Sequence, residues 1–368
     1  MNLSVEYLTC RKQPGKPMKP LFIFSILICL SLTGTTCKEP SPTQTCTDCS
    51  VDTTGTDTTT GFTFTRYEFG GNAGSCYFND CKIWSETNIW ATGYVDSNGL
   101  ALPVNIMKWD GKKWKGIGPF FNSFGVNGIW GLDSNHVYLA DGLVIKYVNG
   151  VFTRIDFTHL KFGNGQSVQK LWGSSESNIW GVGSKGMVVH YDGVKWYVVN
   201  IDSLTGKSLG KVDFTGIHGV DENHFWMVGY DSQNGSLSIL IEFRKGVWSF
   251  PYYDDPSDDG NIWEVTDAMW IPEKDKYWVV TKYLFELNKN KFSTIITFPD
   301  PTYVDGIKNI DNGIMIWGNW GELGYYQNGE WTKYRLPAHF YGGDFKNKMM
   351  ITVGLDGNKA IIYLGKRK

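Results

Sequence analysis

The feature that most constrains this chain is an internal repeat. Three short patterns recur in the same order along residues 77–345. In the first, an aliphatic residue precedes an aromatic one: Ile83-Trp84, Ile129-Trp130, Leu171-Trp172, Ile217-His218 and Met269-Trp270, with Ile307-Lys308 and Asp344-Phe345 as degenerate copies. The second follows shortly after: Ile89-Trp90, Val137-Tyr138, Ile179-Trp180, Phe225-Trp226, Tyr277-Trp278 and Ile316-Trp317. The third is a turn that leads into an aromatic: Asp110-Gly111 before Trp114, Asn149-Gly150 before Phe152, Asp192-Gly193 before Trp196, Lys245-Gly246 before Trp248, and Asn328-Gly329 before Trp331. A looser copy runs from Asn288 to Phe292.

A unit of roughly 40 to 50 residues cannot bury its apolar faces alone, so its copies must stack or close into a ring. The third unit is the clearest. Strands are predicted over Ser167–Trp172, Asn178–Val182, Met187–Tyr191 and Trp196–Asn200, the last two joined by a type I′ turn at Asp192-Gly193. Four strands at this period point to propeller blades rather than a solenoid or a sandwich. No segment shows sustained helical periodicity with caps. The 43 Gly, 16 Trp, 19 Tyr and 21 Phe agree, since aromatic residues suit half-buried pleated surfaces and Gly suits tight turns.

Six full units run from Tyr77 to Phe340, and Tyr341 to Leu364 holds material for only three strands. Phe62 to Phe69 alternates like a strand but has no blade of its own. The predicted fold is therefore an all-β propeller of seven blades, each of four antiparallel strands, with the ring closed by the N-terminal strand. Closure of this kind removes the unpaired propagating edge. Six blades with an accessory hairpin is the alternative.

The propeller is expected over residues 61–368. Residues 1–36 read as a signal peptide, with Met18 as an alternative start. The apolar run Leu21 to Leu32 follows Arg11, Lys12, Lys16 and Lys19, and it is short of the roughly 20 residues that span a bilayer. Cys37, after Gly34-Thr35-Thr36, is the candidate lipidation site, which would make the membrane contact a lipid anchor alone. Ordinary cleavage to a secreted protein is the alternative. Residues 37–60 form a Thr/Ser/Asp-rich tract expected to be a disordered tether. In an exported protein Cys46, Cys49, Cys76 and Cys81 are disulfide candidates, with Cys76–Cys81 and Cys46–Cys49 the local choice among the possible connectivities.

The phrase from Leu171 to Gly183 (LWGSSESNIWGVG), with His190-Tyr191-Asp192-Gly193 and Trp196 after it, resembles a repeat of bacterial surface lipoproteins built from "IWG…NDVWAVG…HWDG..W" units. That functionally uncharacterised family carries a signal, a polar tether and a propeller. The likeness covers residues 37–368 in layout and is sharp in units one and three. It departs at His218 and Lys308, where the inner Trp is replaced. It implies export and fold, with localisation at the bacterial outer membrane or cell surface, and it transfers no site.

Function is less constrained. Lys and Arg number 35 against 37 Asp and Glu, a balance that argues against a dedicated nucleic-acid surface. Gly181 to Gly186 matches GxGxxG, but it runs from a strand into a turn and lacks the helix N-terminus that a dinucleotide phosphate needs, so no cofactor is expected. The six His are scattered without a catalytic or metal-binding context, and packing or turn roles suffice; His218, in place of an inner Trp, is the one expected to face a cavity. Four Asp in the Tyr252 to Gly260 loop lack EF-hand spacing, so no metal is assigned.

Three residues before the inner aromatic stands a column that varies from blade to blade: Cys81, Asn127, Gln169, Thr215, Asp267, Asp305 and Gly342. Inner strands line the axial channel of a propeller. Asn127, Gln169, Thr215, Asp267 and Asp305 are therefore the candidate binding residues at its mouth; hydrogen bonding between blades is the simpler reading. Trp320, Trp263, Tyr252 and Tyr253 fall outside the repeating columns and are the candidate exposed aromatics. The leading expectation is a non-enzymatic module at the cell envelope that binds an envelope or extracellular protein. A glycan-binding propeller is the alternative, and a glycan-processing enzyme using Asp267 and Asp305 comes after it.

Overall fold

The computed structural model describes residues 44–45, 51–52, 61–70, 76–96, 103–117, 125–231, 238–254, 264–281, 283–288, 291–296, 304–310 and 313–367. Cys37, Cys46, Cys49 and Trp263 lie outside them, as does the signal segment.

Seven antiparallel four-stranded sheets are arranged as the blades of a propeller. Their innermost strands are Tyr77–Ser85, Gly128–Asp133, Ser167–Ser175, Val212–Asp221, Asp267–Ile271, Val304–Ile310 and His339–Lys346, in blades 1 to 7. Each blade then meanders outward by short hairpins. In blade 7 the outer strand is Phe62–Phe69, paired in continuous register with Lys359–Arg367 from Phe62 opposite Arg367 to Phe69 opposite Ala360. The expected N-terminal closure is thus present. Arg66 fastens it, pairing with Glu68 and Asp356 and donating to the Pro337 carbonyl and the Tyr363 hydroxyl. Two two-residue strands from the 37–60 tract also pair, Gln44–Thr45 with the outer strand of blade 1 and Val51–Asp52 with Phe62–Phe69.

The core lies between blades rather than inside any one of them. Each hydrophobic cluster is shared by two adjacent sheets, as where Phe62 and Phe64 of blade 7 meet Tyr325 and Tyr334 of blade 6. Glycines in the inner strands set how closely neighbours approach. A Cβ on Gly173 would lie 2.8 Å from the Trp130 ring of the preceding blade, and one on Gly219 would lie 2.3 Å from Trp172. Trp130 and Trp172 thus each pack against a glycine of the next blade.

Three expectations are corrected. Cys76 and Cys81 are both buried and are not bonded to each other. They lie five residues apart along an extended segment, roughly 16 Å at strand rise, whereas a disulfide needs Cα atoms within about 7 Å. Cys76 Sγ instead contacts the Asp96 carbonyl at 3.4 Å. The Asp192-Gly193 turn is not type I′, because only Gly193 has positive φ. It is a four-residue loop in which Asp192 Oδ1 accepts the N–H groups of Val194 and Lys195. Asn149-Gly150, Lys245-Gly246 and Asn328-Gly329 do have positive φ at both positions.

The inner aromatic column is also out of phase in three blades. Cross-strand register makes Trp130, Trp172 and His218 equivalent to Lys82, Met269, Lys308 and Asp344. Trp84, Trp270 and Phe345 are offset from that position. In blade 6 the second column is likewise Met315 rather than Trp317.

Candidate functional site: the axial channel and its mouth

The inner strands enclose an axial cavity of about 280 Å³, lined by residues from all seven blades. Near its mouth every inner strand has the same irregularity. One residue is inserted as a β-bulge, seen in the register jumps Phe78/Asp80, Val168/Lys170, Phe214/Gly216, Val304/Gly306 and Phe340/Gly342. In blades 2 and 5 the amides of Asn127 and Thr266 mark the same place, donating to the Ala140 and Val280 carbonyls. The bulge re-aims the next side chains toward the axis. The ring it creates is Asn79, Asn127, Gln169, Thr215, Thr266, Asp305 and Tyr341.

Of the five candidates, Thr215, Asp267 and Asp305 line the cavity, whereas Asn127 and Gln169 do not. Asn127 accepts from Asn79 at 2.7 Å, and Gln169 donates to Ser167 at 2.6 Å, so both side chains are engaged at the rim. Thr215 donates to the Thr266 carbonyl of the next blade at 2.8 Å. Asp267 is a tie between blades. It accepts from the Ala268 amide at 2.9 Å, from the Ile307 amide of blade 6 at 3.1 Å, and pairs with His218 Nε2 of blade 4 at 2.7 Å.

The same device occurs twice more, at positions the sequence reading missed. Asp80 accepts the Cys81 amide and the Ile129 amide of blade 2. Asp344 accepts the Ile83 amide of blade 1 and pairs with Lys308 at 2.8 Å. Burial alone would raise the Asp344 carboxyl, but Lys308 and Lys82 beside it hold it below the usual carboxylate range. Lys170 lies 3.8 Å from Asp80 and donates to the Asn127 carbonyl. His218 faces the cavity, as its place in the repeat implied.

Asp305 differs from these ties. Burial pushes its carboxyl up to about 7, opposed by one hydrogen bond from the Asn319 amide. The next residue, Trp320, is 52% exposed and sits at φ +59°, ψ +17°, a left-handed conformation that side chains this bulky avoid. Its ring lies 5.2 Å from His339. Tyr341, 42% exposed, also lines the cavity. Trp320, Tyr341 and Asp305 therefore form one patch where blades 6 and 7 meet the channel mouth. Of the other off-column aromatics, Tyr252 is buried and Tyr253 is capped by Lys207 at 4.4 Å.

The two ends of the ring are built differently. Connections on the far face are two to four residues long, as at Ser85 to Asn88 or Ser175 to Asn178. Those on the mouth face reach thirteen, between Val198 and Val212. On the far face His136 Nδ1 stands 3.2 Å from carboxylates of both Asp133 and Glu176. This is the one group of three or more metal-ligating residue types brought together among the described residues, with both carboxylates solvent-exposed and His136 partly buried.

No protein-family model matches the chain, and no curated protein matches it in sequence. Solved propellers match its shape. YCF48 bound to D1 peptide aligns with a TM-score of 0.58 at 12% identity, over 83% of this chain and 97% of that one. The WD40 β-propeller domain of Doa1 aligns at 0.57 and 11% identity, over 82% and 95%. The extracellular domain of the putative one-component system BT4673 from B. thetaiotaomicron aligns at 0.54 and 14% identity, over 80% of this chain and 39% of that one. At these identities the likeness is one of fold: this chain is a seven-bladed β-propeller.

Proposed function

We propose that this propeller is a non-enzymatic interaction module that holds a protein or peptide partner on its mouth face, with Trp320 as the anchor. The observation that carries this is Trp320 itself. A left-handed conformation costs a non-glycine residue on the order of 1–2 kcal/mol. Burial does not repay that cost, because half of the side chain is exposed. Strain of this kind gathers at binding sites, and an exposed Trp is the side chain most enriched among interface anchors. Neighbouring propellers fit the reading, one of them being YCF48 bound to D1 peptide. Export, with a lipid anchor at Cys37 and an envelope partner, completes the proposal and rests on the apolar run Leu21 to Leu32 and the cysteine that follows it.

The test uses the full tagged chain as bait against detergent-solubilised envelope of the source cell, beside Trp320→Gly. Glycine is at ease at φ +59°, so the variant is expected to unfold no earlier than the parent in urea while losing its captured protein. If Trp320→Gly unfolds earlier and still captures that protein, Trp320 is structural and the reading fails. Recovery of glycan alone would replace the protein partner with a saccharide stacked on the same ring.

A further inference from the structure

Below the mouth, one level of the channel gathers basic side chains from separate blades. The register position that holds Trp130 and Trp172 holds Lys82 in blade 1, His218 in blade 4 and Lys308 in blade 6. All five side chains line the cavity. The carboxylates around them are engaged: Asp80, Asp267 and Asp344 each accept backbone N–H from a neighbouring blade. Lys308 is paired with Asp344. Among the described residues the Lys82 ammonium has no hydrogen-bonded partner. Asp344 favours its charge, yet the Lys308 ammonium and burial outweigh that help and bring Lys82 below the ordinary lysine range. Two lysines thus share one carboxylate that also accepts the Ile83 amide.

A half-buried ammonium without a partner is unfavourable, and an oxyanion is the ligand that relieves it, offering several acceptors to converging donors. We propose that the axial cavity binds a small oxyanion, a carboxylate or phosphoryl group, held by Lys82 and Lys308 with His218 across the same level. Trp130 and Trp172 supply an aromatic wall for an organic remainder. The oxyanion arrives either as a free small molecule or as the acidic group of a partner segment entering the mouth. The site does not depend on Trp320 and stands if the mouth reading fails.

The full chain would be titrated by calorimetry with citrate, inorganic phosphate and a Glu-rich peptide at constant ionic strength, against chloride as control. At least one probe is expected to bind saturably at one per chain, with affinity reduced at least tenfold in Lys82→Met and unchanged in Lys195→Met, an exposed turn lysine. Binding of citrate or phosphate identifies a free anion; binding of the peptide alone identifies an acidic partner segment. Urea midpoints control for folding, and Lys308→Gln serves as the second variant if Lys82→Met fails to fold. Absence of saturable binding by all three probes, or binding indifferent to both variants, overturns the proposal.

Discussion

Replacing Phe62 by Ala tests whether the ring is held shut by its N-terminal strand. Phe62 is 1% exposed and belongs to the outer strand of blade 7. Its ring lies 5.8 Å from Tyr325 and 6.3 Å from Tyr334 in blade 6, and 6.1 Å from both Phe64 and Phe345. Arg367 covers it at 5.9 Å. Buried Phe→Ala changes cost about 3–5 kcal/mol, the lost transfer energy plus the cavity left behind. The upper half of that range applies here, because an eight-residue hydrogen-bonded register holds the strand in place and keeps the cavity from collapsing. Against a typical net stability of about 5–15 kcal/mol, that is about a quarter or more of the total. Equilibrium urea unfolding of Phe62→Ala beside Val194→Ala provides the assay. Val194 is 86% exposed in a turn, so its truncation should stay within about 0.5 kcal/mol. If Phe62→Ala shifts the midpoint no more than Val194→Ala does, the strand is not a structural closure and the seam between blades 6 and 7 is held by other contacts.

Gly219→Ala forces a methyl group to within 2.3 Å of the Trp172 ring and should destabilise by about 1–3 kcal/mol, with a shift in Trp emission that Gly210→Ala, where nothing lies within 4 Å, does not produce when compared by fluorescence. His190 stacks on Trp180 at 4.0 Å between Asn178 and Tyr197, and burial lowers its pKa to about 4 against a weaker pull from Asp192. Its contribution is therefore complete above the unfolded value near 6.5 and disappears as pH falls toward about 4; an NMR titration with a midpoint near 6.5 would refute this. Asp305 has the opposite sign, since its raised pKa favours the protonated form in the fold. Its contribution is present below the ordinary carboxylate value and lost as pH rises through about 7. Asp305→Asn should thus gain thermal stability over the parent at pH 8 relative to pH 5, and equal differences at the two pH values would count against the burial argument.

The blades were legible because packing repeats. Turns such as Asn149-Gly150 and aromatics such as Trp90 or Trp180 meet the same demand in each sheet, and their spacing gave seven units and the closing strand. The channel was less legible, and the glycines explain why. An inner Trp fits only where the next blade offers a glycine, as Gly173 does for Trp130 and Gly219 for Trp172. The residue of the next blade at the register position of those glycines is Trp270 for His218 and Phe345 for Lys308, so no glycine is offered there. Those blades place a polar group at the same level and tie it to a carboxylate, His218 to Asp267 and Lys308 to Asp344. A repeat read by its aromatics slips at these points, taking Trp84, Trp270 and Phe345 for the inner position and leaving Lys82 and Asp344 outside it. The bulge at the mouth adds one residue that spacing does not reveal. Spacing from the aromatics groups Asp267 with Asn127 and Gln169, yet it follows the inserted residue and has the place of Asp80 and Lys170. The residues that break the pattern are the ones that give the channel its charges, so a search for function in such a chain should begin where the repeat fails.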